Sequence, residues 1–179
     1  MEYWKRIKLS NIDTIISKSL DYVMQNTHHM EKGKFRGPFI SISNQEYLKH
    51  VPEIHEALRE HKLFFEDVNI YMMWQNSDIM PHKDYTAAIG RINIPLLNCS
   101  GSQTIFYEGL RAKRLMLPTG NPFYATVNKD YKEVTRVEIT EPTIVRVSQG
   151  HSVDMNVDLV PRITLTIATV PDAGLLLED

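Results

Sequence analysis

The stretch "RITLTIATV" at 162–170 has two unlike faces if the chain is extended. Arg162, Thr164, Thr166 and Ala168 fall on one side, and Ile163, Leu165 and Ile167 on the other. A period of two with β-branched residues commits the segment to a strand with one face in a core. The other face is odd for a surface, because it sets a guanidinium beside hydroxyls in an otherwise apolar run. Burying that arginine without a partner is costly. Arg162 and Thr164 together suit a carboxylate, gripped by two parallel bonds from arginine and a third from the hydroxyl. An ion pair with an acid of the same chain is the structural alternative.

The same texture begins at residue 63. "LFFEDVNIYMMWQ", "AAIGRINIPLL", "SQTIFYE", "PFYATV", "EVTRVEI" and "PTIVRVS" are further strand candidates, separated by turn residues. Upstream, Ile12, Ile15, Ile16, Leu20 and Val23 repeat at helical spacing behind Asn11, an expected N-cap. "GPFISIS" (37–43) reads as a strand opened by a turn. "NQEYLKHVPEIHEALREHK" (44–62) reads as a helix that buries Tyr47, Leu48, Val51, Ile54 and Leu58, with Pro52 as a break or kink. The expectation is one domain over 1–179, mainly β with N-terminal helices. A helical support region (1–62) would cover one sheet of a jelly-roll core (63–170) built from seven or eight strands.

Composition narrows the partners. A net charge of −2 gives no reason to expect nucleic acid or an anionic membrane, and no run of about 18 apolar residues predicts a membrane span. The single cysteine, Cys99, cannot form an internal disulfide, and the N-terminus lacks a signal-peptide pattern, so a cytoplasmic protein is expected. Cys99 has no basic neighbour in sequence to activate it and is assigned no role.

"MPHKDY" places His82 and Asp84 two apart, on one face of an extended chain. A histidine and a carboxylate so placed supply two members of the His-carboxylate-His set that holds Fe(II) with open positions. By themselves they are equally a polar turn. His151, after a glycine and between two strand candidates, is the best third ligand, placed by its sequence at a strand edge. His28, His29, His50, His55 and His61 fall in or near the helical third and read as solvated or helix-face histidines.

His82-x-Asp84, then His151, then Arg162 eleven residues on, resembles the signature of the Fe(II)- and 2-oxoglutarate-dependent dioxygenases. The resemblance spans roughly residues 63–170 and implies a double-stranded β-helix, cupin-like core. It implies that His82, Asp84 and His151 bind Fe(II) and that Arg162 pairs with the distal carboxylate of 2-oxoglutarate. "RINIPL" (91–96) is similar to the R-x-H-x-P-L stretch of the aspartyl/asparaginyl β-hydroxylase-like group, which includes proline hydroxylases. By that likeness Arg91 helps to hold the cosubstrate, with a structural salt bridge as the alternative, and Asn93 stands where the pattern has histidine. Arg91 and Asn93 share a strand face, as do Tyr71, Met73 and Gln75, and Tyr71 is a further candidate for the cosubstrate. The expected reaction uses dioxygen to hydroxylate an unactivated C–H bond of an amino acid, protein side chain or small metabolite. With Asp84 present, no ligand position is vacated for halide as in related halogenating enzymes.

Two other classes fit parts of this pattern. A cupin-type metalloenzyme shares the barrel, but "PHKDYTAA" lacks that group's extra histidine and glycines. A non-catalytic β-sandwich binding module would leave His82, Asp84, His151 and Arg162 unrelated. Arg111, Lys113 and Arg114 lie in an expected loop (109–121), where they either attract an acidic substrate or form a solvated basic turn. Trp4 and Trp74 read as core or rim, and Asp154 as surplus to the metal set.

Overall fold

A computed structural model describes residues 1–26, 39–41, 43–74, 79–84, 88–116 and 122–178. Twelve strands among them form two six-stranded antiparallel sheets. The first has the order β1 (Trp4–Arg6), β10 (Thr143–Val145), β5 (Arg91–Leu97), β12 (Arg162–Val170), β3 (Phe64–Met73), β2 (Phe39–Ser41). The second runs β7 (Ala112–Met116), β8 (Pro122–Thr126), β4 (Ile79–His82), β11 (Gly150–Asp154), β6 (Gln103–Glu108), β9 (Lys132–Glu138). Consecutive strands mostly alternate between the sheets, which makes the core a double-stranded β-helix of the jelly-roll kind.

The alternation of β12 is realised as expected. Ile163, Leu165 and Ile167 are at most 1% exposed and pack in one cluster with the helices. α1 (Ile12–Asn26) contributes Ile15 and Val23, α2 (Asn44–His50) Tyr47, and α3 (Glu53–Arg59) Ile54, Ala57 and Leu58. Each such aliphatic side chain contributes about 1.5–3 kcal/mol by leaving water, so this outer face fixes the strand's orientation. A one-residue slip would bring Arg162, Thr164 and Thr166 into the helix-facing core. Register therefore decides which residues face the space between the sheets.

The segment 44–62 is two helices. α2 is capped by Ser43, whose side chain accepts from the Glu46 N–H, and Pro52, lacking an N–H, separates it from α3. Asn11 sits in the left-handed region (φ 54°), and its carbonyl accepts the first bond of α1, from Ile15. Three expectations need correction. Besides β2, expected from "GPFISIS", the helical third contains β1, and the two join the first sheet at its opposite edges. The expected loop 109–121 contains β7, paired with β8 from Ala112↔Thr126 to Met116↔Pro122. His151 lies within β11, hydrogen-bonded between β4 and β6, and not at a strand edge. No helix among the described residues is long and apolar enough to cross a membrane.

The chain's end braces the loop that follows the His82–Asp84 segment. The Asp172 carboxylate accepts from the N–H groups of Ile89 (2.6 Å) and Gly90 (3.0 Å), and from Gly174 (2.7 Å) in the 3-10 turn Ala173–Leu177. The two backbones approach so closely that a Cβ on Gly174 would lie 2.5 Å from the Gly90 nitrogen. Gly174→Ala should therefore force them apart and lower the unfolding free energy by about 1–3 kcal/mol, read from the denaturation midpoint. A midpoint equal to wild type would show that the contact yields without strain.

Candidate metal centre

β4 and β11 are neighbours, and their register sets His82 directly opposite His151. Opposed residues share a sheet face, and here both imidazoles enter the space between the sheets with ring centroids 4.4 Å apart. Only a glycine fits immediately before His151, because a Cβ on Gly150 would meet Leu110 at 2.8 Å. Asp84 follows β4, tied by its N–H to the carbonyl of Val147 at 3.3 Å.

Each histidine is oriented by its own strand. Nδ1 of His82 lies 2.8 Å from the Met80 carbonyl, and Nδ1 of His151 lies 2.9 Å from the Gln149 carbonyl. A carbonyl can only accept, so each Nδ1 carries a proton, and whenever a ring is neutral its Nε2 presents a lone pair. Those Nε2 atoms are 3.3 Å (His82) and 3.7 Å (His151) from Oδ1 of Asp84. The three donor atoms lie within 4.8 Å of one another. Two imidazole nitrogens and one carboxylate oxygen, all on one side, fit a ferrous ion that keeps open positions. The carbonyls that fix both tautomers supply the outer support such ligands need.

The electrostatics of the metal-free centre follow from burial and mutual proximity. Burial, the largest influence on His82, lowers its pKa, yet the Asp84 hydrogen bond and charge, with the Met80 carbonyl, carry it above the ordinary 6.5. For His151 burial wins: its pKa falls below the ordinary value despite Asp84, with His82 adding to the fall. Burial alone would raise the Asp84 carboxyl, but His82, His151 and Arg91 together hold it below the usual range.

Across the cavity, the first sheet presents Tyr71, Met73, Asn93, Arg162, Thr164 and Thr166 to the three ligands. The cavity measures about 60 Å³, several times the ~10–15 Å³ that one water needs. Arg162 is 5% exposed, and among the described residues no carboxylate pairs with it. Its Nη1 reaches only the Met73 sulfur at 3.6 Å, and its Nε has no hydrogen-bond partner. Burial lowers its pKa, which measures how poorly the protein solvates the charge. Thr164 stands two residues along the same face. Tyr71 is held neutral, its phenol pushed up to about 12 by burial and by the Asp84 charge.

The other sequence candidates divide. Asn93 faces the cavity and accepts from the Thr166 hydroxyl at 2.6 Å. Arg91 is not among the residues lining the cavity, and its Nη1 lies 3.7 Å from Asp67 Oδ2, a neighbour that linear sequence does not reveal. His50 and His55 pack edge-on against Tyr22 and Phe65, and His61 contacts the Lys8 carbonyl, far from the centre in the fold. His28, His29 and Gln75 lie outside the described residues. Asp154 is exposed and belongs to no donor cluster. Trp4 packs on the Phe106 cluster, whereas Trp74 is 54% exposed at the rim. Cys99 is buried, its thiol donating to the Ile163 carbonyl at 3.2 Å. Thr166 was legible as part of the alternating face. Asp172, which braces the segment after the ligands, carries no sequence signal beyond preceding a turn.

No family model matches the chain, and no curated protein sequence matches it. Among solved structures, AviO1 from Streptomyces viridochromogenes Tue57 is similar with a TM-score of 0.50 at 8% identity, covering 93% of this chain and 88% of AviO1. That likeness is one of fold. A viral collagen prolyl hydroxylase, vCPH from Paramecium Bursaria Chlorella virus-1, aligns over 93% of this chain and 88% of its own, at 14% identity. Its TM-score of 0.42 is too low to carry an argument.

A proton on His82 competes with a metal ion for the same Nε2. Since its pKa is raised, metal affinity should fall as pH drops through that value, and binding there should release protons. Anaerobic calorimetry with Fe(II) across pH 5.5–8, in buffers of differing ionisation heat, would read both effects (~pH range bracketing the usual histidine value). Affinity independent of pH would remove His82 from the ligand set.

Proposed function

We propose that this protein is an Fe(II)- and 2-oxoglutarate-dependent oxygenase that hydroxylates a C–H bond. The observation that carries the reading is Arg162: a buried guanidinium with no carboxylate partner among the described residues, in the same cavity as three convergent candidate metal donors. A metal site alone would leave that charge unexplained. A cosubstrate with a carboxylate at one end and metal-binding oxygens at the other satisfies both features.

Each residue then has a defined task. His82, Asp84 and His151 would hold the ion from one side and leave the side toward the first sheet for other ligands. Arg162 and Thr164 would anchor the far carboxylate, with Asn93 and Thr166 bordering the same wall. Tyr71 stays protonated and so offers a donor, not a competing anion, on the cavity wall. Arg91, beside Asp67, would act at longer range through its charge on Asp84. The apolar walls Val145, Val147 and Val153 limit water near the ligands. When bound, iron with 2-oxoglutarate and dioxygen supplies the oxidising power, leaving succinate and carbon dioxide as coproducts.

Because no carboxylate among the described residues pairs with Arg162, 2-oxoglutarate should stabilise the iron-loaded protein strongly. At a hundred times its dissociation constant it should add about 2.7 kcal/mol to the unfolding free energy. Arg162→Lys keeps the charge but loses the two-pronged grip. It should weaken 2-oxoglutarate roughly tenfold to a hundredfold while Fe(II) affinity holds. Anaerobic calorimetry of both ligands on wild type and variant checks this, and unchanged 2-oxoglutarate affinity would contradict the assignment.

A further inference from the structure

The basic residues at 111–114 do not form a turn. β4, which carries His82, pairs with β8, and β8 pairs with β7. One row crosses all three strands: His82 opposite Ala125, and Ala125 opposite Lys113. Directly opposed residues of antiparallel strands project from the same face, so Lys113 lies on the metal-bearing face of the sheet. Two strand spacings, about 10 Å, separate it from the His82 backbone. Arg111, two residues earlier, shares that face. Its carbonyl accepts from the Val127 N–H (2.9 Å) and its own N–H donates to Asn128 Oδ1 (2.8 Å), which extends the β7–β8 ladder by a step. Arg114 falls on the opposite face.

Lys113 and Arg111 are exposed, and neither joins an ion pair among the described residues. The chain as a whole carries a net charge of −2, so two cations without partners on one side of the cavity run against its average. Of the residues lining the cavity only Asp84 is acidic, and it is a metal ligand in the reading above. Positive charge therefore stands both in the cavity wall, at Arg162, and two strands along the second sheet from His82, at Lys113 and Arg111. The buried cation, Arg162, is assigned to the cosubstrate. The other pair belongs to the second sheet, the one that carries His82.

We infer that the substrate to be oxidised is acidic, its carboxylate or phosphate received by Lys113 and Arg111 while its reacting carbon sits over the metal centre. This rests on the oxygenase reading and supplies the substrate class that reading leaves open. The charge selects the substrate and orients it, and the stem of Lys113 can lie along the sheet toward the cavity.

The test uses matched probes that differ only in charge or nearly so: L-aspartate with L-asparagine, L-glutamate with L-glutamine, and O-phospho-L-serine with L-serine. Each is titrated calorimetrically, without oxygen, into protein loaded with Fe(II) and 2-oxoglutarate. Two exposed cations should favour the acidic member of a pair by roughly threefold to thirtyfold at low salt, and salt should erode the preference. A carboxylate pair or the phosphate pair responding alone distinguishes the two anions. Lys113→Glu with Arg111→Glu should abolish or invert the preference, whereas Arg114→Ala should retain it. Equal binding of acid and neutral partner, binding of none of the acids, or a preference untouched by the double reversal overturns the inference. The loading step separates the two claims: protein that takes up Fe(II) and 2-oxoglutarate but shows no acid preference refutes only the acidic substrate. Protein that cannot be loaded refutes the oxygenase reading and this inference with it.

Discussion

Arg162 is the residue around which the two faces of β12 are organised. Its strand lies between β3 and β5, inside the first sheet, and cannot shift register without driving the guanidinium into the helix-packed core. The apolar partners of Ile163, Leu165 and Ile167 thus hold the charge in a cavity that solvates it badly. A buried cation without a carboxylate costs several kcal/mol after relaxation, a large share of a typical domain's stability. The helices of the N-terminal third offset that cost by covering the opposite face. The strand thus has an apolar half that stabilises the sheet and a polar half that faces the cavity.

The second sheet solves a different problem. Two histidines must converge on one carboxylate, and pairing β4 with β11 places them opposite each other before any side-chain choice is made. Carbonyls two residues back orient each ring, so the lone pairs point inward without help from a metal. Asp84, outside the strand, is tied by its N–H to the Val147 carbonyl. The same sheet carries Lys113 and Arg111 two strands from His82, so one scaffold sets both the candidate metal donors and the charge beside them.

How much of this was readable in the sequence depended on where each constraint resides. β12, β3 and β5 were legible because their two faces differ in polarity, and alternation records that difference along the chain. β4 and β11 were not, since Ile79–His82 and Gly150–Asp154 are too short to establish a period and owe their form to neighbouring strands. β7 was hidden by its charges: "AKRLM" reads as loop until β8 pairs with it. The cluster of His82, Asp84 and His151 itself was visible through residue type and spacing. The Arg91–Asp67 contact and the Asp172 brace were invisible, because both join residues far apart in sequence through sheet register and chain closure. The single helix expected over 44–62 broke at the one residue that sequence had already marked, Pro52.

In the proposed enzyme His82, Asp84, His151 and Arg162 form one site, loaded jointly by a ferrous ion and 2-oxoglutarate. Anaerobic optical titration tests it most directly. Fe(II) alone and 2-oxoglutarate alone should leave the protein colourless, while the two together should produce a weak, broad visible charge-transfer band that saturates at one equivalent of each. A protein that binds Fe(II) tightly yet develops no band with 2-oxoglutarate present would contradict the claim and leave only a metal-binding β-barrel.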